Sequence, residues 1–162
     1  MTKSDYNKET DPQKFPSFNL MAAHTDKEIS ISEKELKAQK FLVYTYPKDL
    51  TSGCTKETNE FSSNLDFFTA NGIAIYGLSK DSIKSHLKFI DKEKIPFPLI
   101  SDPDCTLIKE LGCWVKKSMY GKEYMGISRS TFLVNQSLQV NKIWRNVKVK
   151  DHVSNVMAEI SM

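Results

Sequence analysis

The first fourteen residues are polar and follow no apolar period, which predicts a frayed, flexible tail over 1–14; apolar order starts at Phe15. Phe18 and Leu20, then Ile29 and Ile31, alternate with polar residues on either side of His24-Thr25-Asp26, as the strands of a short hairpin do. Residues 41–46 (FLVYTY) are a continuous apolar and β-branched run, the pattern of a strand covered on both faces, and Pro47 stops it. From Cys54 to Asn71-Gly72, Phe61, Leu65 and Phe68 recur at helical intervals; residues 73–78 then form a second buried strand, and Ile83, Leu87 and Ile90 mark a helix over 82–92. Leu99-Ile100 predicts a short strand, and Ser101-Asp102-Pro103 starts a helix that Gly112 ends. A loop rich in Lys and Gly leads to strands at 131–134 and 140–147, and Val149, Val153, Val156, Met157 and Ile160 stripe a terminal helix.

This alternation predicts an α/β fold: a central mixed sheet flanked by helices on both faces, with an N-terminal β-hairpin, in a thioredoxin-like layout. Periodicity alone is equally compatible with other α/β sandwiches of this size. With 162 residues, no internal repeat and no composition shift, residues 15–162 are expected to form one domain, long enough to bury about two-thirds of its unfolded surface.

Composition narrows the function classes. The chain is 40% hydrophobic and 27% charged, with a mean hydropathy of −0.43, and contains no apolar run long enough to span a bilayer, so a soluble, cytoplasmic protein without membrane contact is expected. Net charge is +3 but uneven: residues 116–150 hold six Lys and two Arg against Glu123. Without zinc-finger spacing or an RNA-recognition motif, that stretch reads as a solvated lysine-rich face, with no nucleic-acid partner. His24, His86 and His152 are scattered singly, match no metal pattern and read as surface or half-buried groups; no metal is expected. Cys54, Cys105 and Cys113 are too few for a disulfide scaffold, and the odd count fits a reducing compartment.

The informative stretch is residues 47–54 (PKDLTSGC), where a buried strand ends, a tight loop follows and a cysteine opens a helix. Backbone N–H groups and the helix dipole at such a position favour negative charge, and the thiolate is the nucleophilic form of cysteine. Thr51 could point its hydroxyl into the same pocket. On spacing alone, the alternatives stand level: Cys54 as a small buried hydrophobe and Thr51 as a helix cap.

Pro47, Thr51 and Cys54, spaced P-x-x-x-T-x-x-C, match the active-site signature of peroxiredoxins, the AhpC/TSA family. The wider string 46–57 (YPKDLTSGCTKE) resembles the bacterioferritin comigratory protein, or peroxiredoxin Q, subfamily. Similarity continues through 97–104 (FPLISDPD), 119–122 (MYGK), Gly126-Ile127, 129–133 (RSTFL) and 144–148 (WRNVK), and spans residues 15 to 160. The resemblance implies an antioxidant thiol peroxidase that reduces hydrogen peroxide and organic hydroperoxides, needs no cofactor, draws electrons from thioredoxin or another thiol reductant, and exists as a monomer or weak dimer. It also implies the roles. Cys54 attacks the peroxide and becomes a sulfenic acid; Thr51 hydrogen-bonds the peroxide; Pro47 shields the pocket; Arg129 holds the thiolate and polarises the peroxide. Glu57, one turn after Cys54, could orient Arg129 or be a solvated carboxylate, and Arg145 reads as a packing or ion-pair residue.

One departure matters. Many relatives carry a resolving cysteine five residues after the first, where this chain has Asn59; others place it on the next helix, but residues 82–92 contain none. A one-cysteine cycle is therefore expected, with Cys105 or Cys113 as possible resolving thiols after local unfolding, an intermolecular disulfide as a third route, and a peroxide sensor or redox relay as the alternative to a scavenger.

Overall fold

A computed structural model describes residues 11–161. Its elements are β1 (Asn19–His24), β2 (Lys27–Ser32), α1 (Glu33–Leu36), β3 (Lys40–Thr45), α2 (Ser52–Ser63), α3 (Leu65–Ala70), β4 (Ile73–Ser79), α4 (Ile83–Glu93), β5 (Leu99–Ser101), α5 (Thr106–Glu110), β6 (Trp114–Met119), β7 (Lys122–Ile127), β8 (Ser130–Val134), β9 (Val140–Trp144) and α6 (His152–Ile160). Seven strands form one mixed sheet in the order β2-β1-β5-β4-β3-β8-β9, and β6 and β7 pair separately. The expected N-terminal hairpin is β1–β2, paired from Asn19↔Ser32 to His24↔Lys27.

The continuous apolar run of β3 makes sense at the sheet's centre, between β4 and β8, where both faces are covered. Alternate side chains serve opposite layers. Leu42 and Tyr44 pack with Phe61, Phe68, Phe89, Val153 and Val156 from α2, α3, α4 and α6. Phe41 and Val43 face Leu36, Leu107, Ile108 and Ile127, from α1, α5 and β7. Helices therefore lie on both faces, as the alternation predicts.

Several boundaries differ from the sequence reading. The expected single helix after Cys54 breaks at Asn64, whose side chain donates to the Glu60 carbonyl at 2.8 Å; polar side chains that compete for the backbone are poor helix interiors. The helix expected at residue 101 starts at Thr106, because Asp102 instead folds back and accepts from the Thr106 and Ile108 N–H groups. The Lys- and Gly-rich loop is the β6–β7 hairpin; Tyr120 and Gly121 both have positive φ, as a two-residue type I′ turn demands. β9 ends at Trp144 rather than 147, and α6 begins at His152, leaving Val149 outside it.

Two further expectations need correction. The flexible tail does not extend to residue 14: Gln13 accepts from Val140 N–H at 2.9 Å, Lys14 bridges to Gln139, and Asp11 pairs with Arg145 at 2.8 Å. Residues 1–10 lie outside the described part. His86 and His152 are not surface groups; they are 0% and 5% exposed, each held by hydrogen bonds, and only His24 is half-buried as expected. Among the described residues no helix is long and apolar enough to cross a membrane.

Candidate active site

Strand register builds the site. Thr45, the last residue of β3, pairs with Ser130, the first of β8. The residue before β8, Arg129, is thus brought beside the chain that leaves β3 towards α2. The Arg129 carbonyl also accepts from Val147 N–H at 2.8 Å, which ties it to the loop after β9.

Cys54 is the third residue of α2 and is 1% exposed. One arm of Arg129 reaches it: Nη2 donates to Sγ at 3.4 Å. The other arm, Nη1, donates to Glu57 Oε1 at 2.6 Å, so one planar guanidinium spans the thiol and a carboxylate a turn further along α2. Glu57 is no solvated carboxylate: it is 0% exposed, and its Oε2 has no hydrogen-bond partner. Burial drives its pKa up from 4.5 to about 7, against the pull of Arg129. Burial also opposes the Arg129 charge, yet Glu57 and Cys54 outweigh it and leave that pKa raised. Glu57 is thus sealed from solvent, while the Arg129 side chain keeps 14% exposure.

Thr51 occupies the N-cap position of α2, and its carbonyl accepts from Thr55 N–H at 2.9 Å. Its side chain makes no capping bond, so the capping alternative fails; the exposed hydroxyl donates to the Lys48 carbonyl at 2.8 Å. Pro47 is half-buried at the start of the loop. Gly53 lies directly under the guanidinium: a Cβ there would stand 3.6 Å from Arg129 Nη2, an ordinary van der Waals contact.

Cys105 and Cys113 are not at this site. Both are buried in the core layer on the opposite face of the sheet from Cys54. Burial and the neighbouring Asp102 carboxylate raise the Cys105 pKa. Cys113 lies 3.5 Å from Arg145 Nη1 and 3.6 Å from Thr45 Oγ1, but burial still raises its pKa. Arg145 is an ion-pair residue, as read: it pairs with Asp11 and stacks 5.3 Å from the Phe132 ring. Asn59, at the first resolving position, donates to Glu93 Oε1 at 2.9 Å and ties α2 to α4.

Three residues escaped the sequence reading. Lys117, in β6, is half-buried, and its pKa is lowered by burial and then by Arg129, with Cys54 pulling the other way; it belongs to the electropositive surroundings of the thiol rather than to a wholly solvated face. Asp49 and His86 form a buried pair at 2.7 Å just behind the loop.

Known proteins resemble this chain in sequence and in fold. Residues 12–143 match the model of the AhpC/TSA family. The chain is 39% identical over 145 residues to peroxiredoxin Bcp of Bacillus subtilis, covering 90% of each chain. It is 44% identical over 119 residues to peroxiredoxin Bcp of Xanthomonas campestris, covering 74% of each. The solved Xanthomonas campestris peroxiredoxin Q superposes with a TM-score of 0.82 at 38% identity, over 89% of both chains. A further structure of the Xanthomonas campestris bacterioferritin comigratory protein addresses its alkyl peroxide reduction activity.

Proposed function

The chain belongs to the AhpC/TSA family, among its Bcp/peroxiredoxin Q thiol peroxidases, and from that premise we propose that Cys54 is its peroxide-reactive thiol and works in a one-cysteine cycle. The observation that carries the proposal is the Arg129 fork, with one arm on Cys54 and the other on buried Glu57. A guanidinium 3.4 Å from sulfur is placed as a hydrogen-bond donor to it and remains as a donor while charge moves onto the peroxide.

The Cys54 thiolate attacks the terminal oxygen of ROOH; a sulfur–oxygen bond forms, the O–O bond breaks, the peroxide proton stays on the sulfenic oxygen, and the leaving RO⁻ takes a proton from solvent water to depart as ROH. The Arg129 guanidinium and the N–H groups at the start of α2 stabilise the negative charge that passes from sulfur to the leaving oxygen. The Thr51 hydroxyl donates its hydrogen bond to the Lys48 carbonyl and so has lone pairs left to accept the peroxide O–H and aim the O–O bond at sulfur. Pro47 supplies an apolar wall. An external thiol then condenses with the sulfenic acid, releasing water, and a second thiol displaces Cys54 as a thiolate. That reductant is a thioredoxin or another cellular thiol, the substrates include hydrogen peroxide and organic hydroperoxides, and three free thiols suit the reducing cytoplasm. A monomer or weak dimer suffices, since every group invoked comes from one chain.

Steady-state peroxide consumption with an added thiol reductant tests the reading. The native protein turns over, and Cys54→Ser abolishes turnover; activity surviving in that variant overturns the assignment.

A further inference from the structure

Asp49 is a charged residue in a surface loop, between the exposed Lys48 and Leu50, yet it is only 4% exposed. Its carboxylate is fully occupied. Oδ1 accepts from the buried Tyr46 hydroxyl at 2.6 Å; Oδ2 accepts from Ser85 Oγ at 2.8 Å and meets His86 Nδ1 at 2.7 Å. His86, on α4 and 0% exposed, faces the Ile100 carbonyl with Nε2 at 3.0 Å. A carbonyl only accepts, so Nε2 donates to Ile100, and the short Nδ1–Oδ2 contact holds one proton between the ring and the carboxylate. The backbone of the same loop residue is held too: Asp49 N–H donates to Asp81 Oδ2 at 2.9 Å, and that oxygen also accepts from Ser79 Oγ at 2.7 Å. The facing oxygens and nitrogen of Asp49, Asp81 and His86 lie within 4.8 Å of one another, but each is already engaged, so the cluster closes on itself as a hydrogen-bond network. The next residue, Leu50, has φ of 65°, a left-handed conformation that a leucine adopts only when its surroundings impose it.

We propose that Asp49 and His86 are positioning residues: a buried clamp from α4 that fixes the loop at 47–51 and thereby sets Pro47 and the Thr51 hydroxyl against the sulfur of Cys54. Neither residue touches Cys54; the clamp acts through the loop, on the orientation of the peroxide rather than on the thiol. It rests on the reading of Cys54 as the peroxide-reactive thiol.

The test follows Cys54 in the full-length protein by peptide mass, measuring its rate of reaction with hydrogen peroxide and, separately, with iodoacetamide, which needs a thiolate but no oriented O–O bond. In Asp49→Asn and in His86→Gln the peroxide-to-iodoacetamide rate ratio falls by at least about tenfold, and the double variant falls no further than either single one, because both remove one clamp. Ser85→Ala, which removes a single hydrogen bond and leaves the pair, lowers the ratio about threefold and keeps the test decisive where a clamp variant fails to fold. A ratio within about twofold of the native protein in the folded variants, or both rates falling together, overturns the clamp. A native Cys54 that meets peroxide no faster than a free thiol overturns the parent reading instead.

Discussion

Arg129 does at once what a point charge cannot: it bridges the Cys54 sulfur and a buried carboxylate with two arms of one rigid plane. Arg129→Lys keeps the charge but loses the fork, and the second-order rate of Cys54 oxidation is expected to drop about 100-fold in stopped-flow measurements. Glu57 carries the pH dependence of this site. Between its ordinary value of 4.5 and about 7 the native chain keeps a proton that the unfolded chain has lost, so its contribution to stability is fullest below 4.5 and is lost as pH rises through about 7. On going from about pH 5 to about pH 8 the native protein should therefore lose stability relative to Glu57→Gln in urea denaturation; parallel curves would contradict this. Pro47, Thr51 and Cys54 stand out as candidates in the sequence because their spacing matches a signature, whereas Arg129 enters only through the wider resemblance at 129–133. Asp49 and His86 do not stand out, because a loop aspartate and a single histidine on a helix leave no periodic trace; only the fold brings residues 37 positions apart to 2.7 Å.

At the scale of elements, the strands were read well where both faces are buried, since the continuous apolar runs at 41–46 and 73–78 admit little else. The β6–β7 hairpin escaped because its strands are half-exposed and polar, and its turn is closed by Tyr120 in a conformation usually left to Asn or Gly. Helix α6 offers a prediction of opposite sign to that for Glu57. His152 is buried at its start, with Nε2 2.8 Å from Thr131 Oγ1 and its ring against Phe61 and Trp144, and burial lowers its pKa from 6.5 to about 4. The unfolded chain takes up a proton first, so the stability His152 contributes is present above 6.5 and lost as pH falls towards about 4. Thermal melts between these pH values should fall less steeply in His152→Gln than in the native protein.

For the whole molecule, the sheet is the main element of the account. It holds Cys54 in one core layer and Cys105 and Cys113 in the other, and a disulfide requires Cα atoms within about 7 Å. The helix that bears Cys54 is also tied to α4 through Asn59 and Glu93. Joining Cys54 to either remaining thiol would require chain from one layer to pass the sheet's edge. The double variant Cys105→Ser/Cys113→Ser should accordingly retain peroxide turnover within about twofold of the native protein in a coupled assay, as expected for buried residues far from the chemistry. What the sequence left open, whether an odd cysteine acts alone, is a question of layers, which no local pattern encodes.

The most direct test is intact-mass and peptide analysis after one equivalent of peroxide, with and without a sulfenic-acid trap. One trapped adduct, mapped to Cys54, is the predicted result. Loss of two hydrogens without trapping, mapped to a bond between Cys54 and Cys105 or Cys113, would contradict the one-cysteine cycle.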